Sequence, residues 1–187
     1  QALTIDVDSG ESTLYGDEYT MDDIVWTGPV PALAELADRA GIDRVRPLKA
    51  LSTELKGRLL HFTPPYRDHN RIYLAELLEV PIGKVKESAS ADLIKAIVSL
   101  RSYKSDQELD ELETAVRLTN EMHLAAMRTA RPGVKESVVH AAIQQTALAA
   151  DRVTSFPVIL SHNGQILHNH HHDNVLEDGR LVLCDCG

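Results

Sequence analysis

Apolar positions alternate near both ends of the chain and recur at helical spacing through its middle. Ala2-Leu3-Thr4-Ile5-Asp6-Val7 alternates as a strand, Asp8-Ser9-Gly10 turns it, and Thr13-Leu14-Tyr15-Gly16 returns. This pattern predicts a hairpin. From Pro31 to Ala40, the residues Leu33, Leu36, Ala37 and Ala40 share one helical face, and Gly41 stops the run. Val45 reads as a short strand and Leu48 to Leu55 as a second helix ended by Gly57. Arg58 to Phe62 reads as a strand that Pro64-Pro65 breaks. Asp68 to Leu78 predicts a third helix, with Ile72, Ala75 and Leu77 or Leu78 inward. Ser90 to about Ser102 predicts another, burying Leu93, Ile94, Ile97 and Val98. Strands and helices in this alternation imply a layered, mixed α/β (α+β) unit.

A sharp boundary follows. Ser105-Asp106-Gln107-Glu108 has the spacing of a capping box, in which the Ser hydroxyl and the Glu carboxylate each satisfy the other's backbone N–H. Leu109, Leu112, Val116, His123, Ala126 and Ala130 carry one apolar face onward until Arg131-Pro132-Gly133 ends the helix. Val134 to Ala150 predicts a further, alanine-rich helix. The expected domains are therefore residues 1–104 and 105–187. In the last stretch, Ser155 to Leu160 reads as a strand interrupted early by Pro157. Asn163-Gly164 is a hairpin signal, with Ile166-Leu167-His168 as the return strand. Asn169 to Asn174 loops out, Asp178-Gly179 turns, and Arg180 to Cys186 forms the last strand.

Composition narrows the partners more than the fold. The 187 residues are 43% hydrophobic and 25% charged, which is ordinary for a globular chain. The net charge is −9 and no basic run occurs, which argues against nucleic acid or an anionic membrane as a partner. No apolar stretch nears the roughly 18 residues of a membrane span, and no leader is visible at Gln1. A soluble, cytoplasmic protein is expected. The chain starts without Met inside strand-like sequence and stops one residue after a strand, so it is expected to be a fragment truncated at both ends. The final strand would then lack a neighbour, and the isolated fragment would be poorly stable. Cys184 and Cys186 lie two apart on one strand face, too tight for an unstrained bridge, and read as reduced thiols. A lone C-x-C pair is only a weak sign of a metal or redox site.

Candidate chemistry concentrates between Ser155 and Gly187. On the last strand, period two puts Leu181, Leu183 and Asp185 on one face and Val182, Cys184 and Cys186 on the other. A carboxylate ending an apolar face needs solvent or a counter-charge, and a hard divalent cation is one candidate. His170-His171-His172 cannot all converge on one ion from consecutive positions, so it reads as a solvated loop that binds transition metals adventitiously. His168 follows Ile166-Leu167 directly and would be held by the return strand. His123 and His140 read as ordinary helix histidines, and Trp26, the single tryptophan, as a core or hinge aromatic.

Several separated stretches together resemble a known family. Ser155-Phe156-Pro157, Asn163-Gly164, Leu167-His168-Asn169 and Asp178-Gly179-Arg180-Leu181-Val182-Leu183-Cys184-Asp185-Cys186-Gly187 resemble the approach to the metal site of the pita-bread metallopeptidases. Bacterial aminopeptidase P is the best match within that group. Cys186 stands where the family usually has Ala. Leu93-Ile94, Leu100-Arg101, Lys104-Ser105 and Glu108-Leu109 resemble the hinge into the family's catalytic domain, and Asp22 to Pro29 its N-terminal domain around a tryptophan.

The resemblance implies a partial aminopeptidase-P/creatinase-like mixed αβ domain followed by the first part of a pita-bread catalytic domain. It implies an enzyme that hydrolyses the N-terminal Xaa-Pro bond with metal-activated water. Two divalent ions are implied, manganese above all, with zinc, cobalt or magnesium as alternatives. Asp185 then corresponds to the first metal-binding carboxylate and His168 to a substrate-pocket histidine. Trp26 corresponds to a residue that approaches a neighbouring subunit's pocket in a dimer or tetramer. The remaining ligands and the catalytic histidines lie beyond Gly187, so this chain alone is expected to be inactive. Prolidase activity on Xaa-Pro dipeptides, a non-catalytic pita-bread binding protein and a metal-sequestering role for His168 to His172 are the alternatives.

Overall fold

A computed structural model describes all of residues 1–187. The chain divides into two compact units, Gln1–Val98 and Ser99–Gly187. In the first, β1 (Ala2–Ile5) and β2 (Ser12–Tyr15) form the expected antiparallel hairpin, with Ala2 opposite Tyr15 and Ile5 opposite Ser12. The strands are shorter than their apolar pattern because Asp6 turns the chain. Its carboxylate accepts the N–H groups of Asp8 (3.1 Å) and Ser9 (3.0 Å), and Gly10 takes the positive φ that the turn requires. Two short helices follow, α1 (Met21–Thr27) and α2 (Leu33–Arg39). They lead to β3 (Arg44–Arg46), which adds parallel to β2 and completes a sheet of order β1-β2-β3.

The core of this unit lies where α2 covers the sheet. Leu14, Leu33 and Ala37 are buried, and Leu36, Ile42 and Val45 pack against them. Tyr15 is buried as well, and its hydroxyl donates to Glu54 at 2.6 Å. Glu54 also accepts from Arg46 Nη2 (2.8 Å), so α3 (Leu51–Leu55) is tied to the sheet edge by a polar contact. Leu48 to Leu55 begins as one turn of tighter 3₁₀ helix rather than as regular α-helix.

Three expectations are corrected in this unit. Arg58 to Phe62 forms no strand. Part of its backbone is taken up elsewhere: the Phe62 carbonyl accepts the Ser90 N–H at 3.0 Å, at the start of a helix. The two amphipathic helices α4 (Asp68–Leu78) and α5 (Ala91–Ser102) form as expected but bury no residue fully. Ile72, Ile94 and Val98 are exposed. Trp26 is not a core aromatic, since it is 88% exposed on a helix that buries nothing.

The second unit is built on α6 (Asp106–Thr129) and α7 (Glu136–Ala149). The capping box is present: Glu108 N–H donates to Ser105 Oγ (3.3 Å), and Ser105 N–H to Glu108 Oε2 (2.8 Å). Replacing Ser105 with Ala is expected to cost about 1 kcal/mol of stability, read as a shift in the urea midpoint at unchanged slope. Met122 and Ala126 from α6 meet Val139, Ile143 and Ala147 from α7, together with Val158, Leu160, Leu176 and Cys186. Only the second half of α6 contributes. Leu109, Leu112 and Val116 are exposed, although the sequence puts them on the same face.

A two-stranded sheet closes this core. The strands β4 (Ile159–Ser161) and β5 (Leu183–Asp185) run antiparallel, with Ile159 opposite Asp185 and Ser161 opposite Leu183. The last strand therefore has a neighbour, contrary to expectation. The expected hairpin at Asn163-Gly164 does not form, and Ile166 to His168 is a turn rather than a return strand. A two-residue hairpin of the favoured type needs positive φ at both central positions. Neither Asn163 nor Gly164 has it, and β4 pairs with β5 instead.

Candidate functional site

Alternation along β5 decides which side chains face the core. Val182, Cys184 and Cys186 point inward against the helices, while Leu181, 92% exposed, and Asp185 point out. Asp185 thus sits on the solvent side of a strand whose other side is packed. The backbone just beyond it is clamped: Gly187 carbonyl accepts both the N–H (2.7 Å) and the hydroxyl (2.8 Å) of Ser155. Pairing with β4 on one side of Asp185 and this double contact on the other hold the carboxylate in a defined position.

The loop between the strands is anchored from below by Glu136, in the first turn of α7. Glu136 is fully buried. Its Oε1 accepts the His162 N–H at 2.8 Å and its Oε2 accepts Asn174 Nδ2 at 2.9 Å. The N–H groups of Glu136 and Ser137 donate in turn to the carbonyls of Asn174 and His172, both at 2.9 Å. The loop satisfies the otherwise orphaned donors that begin a helix, and so it is fixed to α7. Arg180 reaches back to the His162 carbonyl (3.3 Å) and to Asn163 (3.2 Å).

The histidines of this loop separate into different environments. His168, His170 and His171 are exposed. His172 is not a solvated loop residue: its ring stacks on His140 of α7, with centroids 4.2 Å apart, and its Nδ1 lies 3.1 Å from the Leu160 carbonyl. Burial, and then repulsion from His172, hold the His140 pKa below the ordinary imidazole value. A depressed folded pKa means that the unfolded chain takes up a proton first on acidification. Stability from this group is thus complete above about pH 6.5 and is lost as pH falls through that value towards the folded pKa. The melting temperature is expected to fall across that window, and His140→Gln to flatten part of the fall in a pH series of thermal melts.

Cys184 and Cys186 are free thiols with their sulfurs 4.0 Å apart. Burial, with Cys186 second, pushes the Cys184 thiol up to about 12, and burial pushes Cys186 up as well. Both are protonated and weakly nucleophilic near neutral pH. This weakens the redox reading of the pair. The inward sulfurs face His123 of α6.

The sequence-predicted site residues are therefore not gathered into one cluster. Asp185 lies on β5, His168 in the turn of the preceding loop, and Trp26 in the other unit. The one group of three or more metal-capable side chains within reach of one another is His123, Cys184 and Cys186, which excludes both Asp185 and His168. A pair of hard divalent ions needs several carboxylates. Asp185 alone does not fit that requirement. Sequence reasoning missed Glu136 and the His140–His172 stack. A Glu at the start of a helix ordinarily reads as a solvated dipole partner, and no linear signal marks a buried one.

Two segments of the chain match known protein families. The profile described as metallopeptidase family M24 matches residues 110–187, and that of the aminopeptidase P N-terminal domain matches residues 1–63. In these two segments the chain is similar to the pita-bread, aminopeptidase P-like family, and its fold is that of aminopeptidase P. It is 26% identical to the Xaa-Pro dipeptidase of Rattus norvegicus over 196 residues, covering 98% of this chain and 39% of that protein. It is 27% identical over 186 residues to a probable Xaa-Pro aminopeptidase of Coccidioides posadasii, covering 94% and 38%. Zinc-substituted Escherichia coli aminopeptidase P in complex with product shares the fold at a TM-score of 0.76 and 23% identity, over 95% of this chain and 43% of that one. The chain thus spans about two fifths of the length of these relatives.

Proposed function

We propose that this chain is part of a metal-dependent aminopeptidase that removes the residue preceding proline from a peptide N-terminus. The observation that carries the reading is the outward carboxylate of Asp185, on a clamped strand within the segment matched to metallopeptidase family M24. Asp185 is assigned as one ligand of a divalent metal pair, with manganese as the expected ion. His168, exposed on the loop before that strand, is assigned to the substrate pocket. Trp26, exposed on α1, is assigned to contact with a neighbouring subunit of a homo-oligomer. The domains are assigned as residues 1–104 and 105–187, the second opening at the Ser105 capping box. The chain has no helix long and apolar enough to cross a membrane, and a cytoplasmic location is part of the proposal. These 187 residues offer one of the required carboxylates, so the activity is assigned to the protein that joins them to further ligands.

The test uses that complete protein, supplied with manganese, on three peptides. A tripeptide with proline second is expected to lose its first residue, its alanine-second counterpart to remain intact, and chelation to stop the reaction. Cleavage confined to an Xaa-Pro dipeptide would favour the prolidase reading, which the rat relative supports. Peptide binding without hydrolysis at any metal concentration would favour a non-catalytic binding protein and sink the enzyme.

A further inference from the structure

The inner face of β5 carries a set of donors that the peptidase reading leaves unused. Cys184 Sγ lies 4.0 Å from Cys186 Sγ and 4.0 Å from His123 Nδ1, and Cys186 Sγ lies 3.9 Å from the same nitrogen. The three atoms form a nearly equilateral triangle. An ion at its centre would stand about 2.3 Å from each corner, the zinc–thiolate bond length for the two sulfurs and about 0.2–0.3 Å longer than a zinc–imidazole bond for the nitrogen. The donors come from two different elements, one imidazole from α6 and two sulfurs from β5. They are partly or fully buried: Cys186 is 6% exposed, and Cys184 and His123 are half-buried.

We propose that His123, Cys184 and Cys186 form a site for a single soft divalent cation of the zinc type. Two thiolates and an imidazole suit zinc, and they disfavour the hard ions that carboxylates take. Three protein ligands leave one position for a water molecule. Binding exchanges the thiol protons for the ion, and the bound ion bridges α6 to the strand that presents Asp185. Alternation along β5 puts this site on the opposite side of the strand from that carboxylate. The two sites are therefore chemically and spatially separate, and the proposal stands whether or not the peptidase reading does.

Cobalt(II) is the probe, added without oxygen to the reduced, metal-free complete protein that contains these 187 residues. One equivalent is expected to produce near-ultraviolet thiolate-to-cobalt absorption, which zinc then removes by displacement. Cys184→Ser and Cys186→Ser are each expected to lose most of the band, and His123→Ala to weaken binding at least about 100-fold. His170→Ala with His171→Ala, and separately Asp185→Asn, are expected to keep the band. Cobalt uptake by wild-type chain without thiolate absorption would overturn the site, and this reading needs no variant to fold. Persistence of the band in the double Cys→Ser chain would overturn it equally.

Discussion

Replacing Asp185 with Asn is expected to lower kcat/KM of the complete protein on a proline-second peptide about 1,000-fold or more. On the proposed reading Asp185 would help hold a metal that would supply polarisation of the scissile carbonyl and an activated water, chemistry worth several kcal/mol of barrier, and each 1.36 kcal/mol is about tenfold in rate. Asn keeps the shape but loses the charge that, on this reading, would hold a divalent ion. The same change is expected to leave folding almost untouched, because Asp185 is exposed on the outer face of β5 and substitutions at such positions stay within about 0.5 kcal/mol. Steady-state rates at saturating manganese, with a thermal melt beside them, separate the two effects. An unchanged rate would remove Asp185 from the ligand set. A lower rate matched by a lower melting temperature would make its role structural.

Glu136→Ala is expected to be the most destabilising single change considered, at about 3–5 kcal/mol. Its carboxylate is fully buried and satisfies two donors on the loop, the His162 N–H and the Asn174 amide. Alanine leaves both without an acceptor, at about 1–3 kcal/mol each, and opens a void at a fully buried position that relaxes only in part. A total on that scale is a large share of the stability of an ordinary domain. Glu136→Gln is expected to lose less, since one oxygen still accepts and Asn174 can turn its amide to meet the new N–H₂. Urea denaturation measures the difference. Amide exchange at His162 reports whether the loop has come free. Equal stability of the Ala variant and wild type would show that solvent reaches this carboxylate.

The helices of this chain were legible because their signals are local. The capping box at Ser105 and Glu108 and the Arg131-Pro132-Gly133 stop bracket α6 closely, and α4 matches its sequence range from Asp68 to Leu78. Strands were harder, since a strand exists only if another segment pairs with it. Arg58 to Phe62 has strand character and no partner, whereas β5 found β4 rather than the adjacent residues that the Asn-Gly signal favoured. Burial was the least legible property. Leu112 and Ile143 look alike as apolar residues on helical faces, yet one is 48% exposed and the other fully buried.

The sequence by itself determined the family pattern, the α6 boundaries and the alternation that turns Asp185 away from Cys184 and Cys186. Each of these depends on spacing within a few residues, which chain geometry alone translates into direction. Only the tertiary structure decided that Glu136 is buried beneath the loop, that His172 stacks on His140, and that His123 meets the two thiols. Those contacts join residues 26 to 63 positions apart in the chain. They arise from how α6, α7 and β5 share one core, which no local pattern encodes.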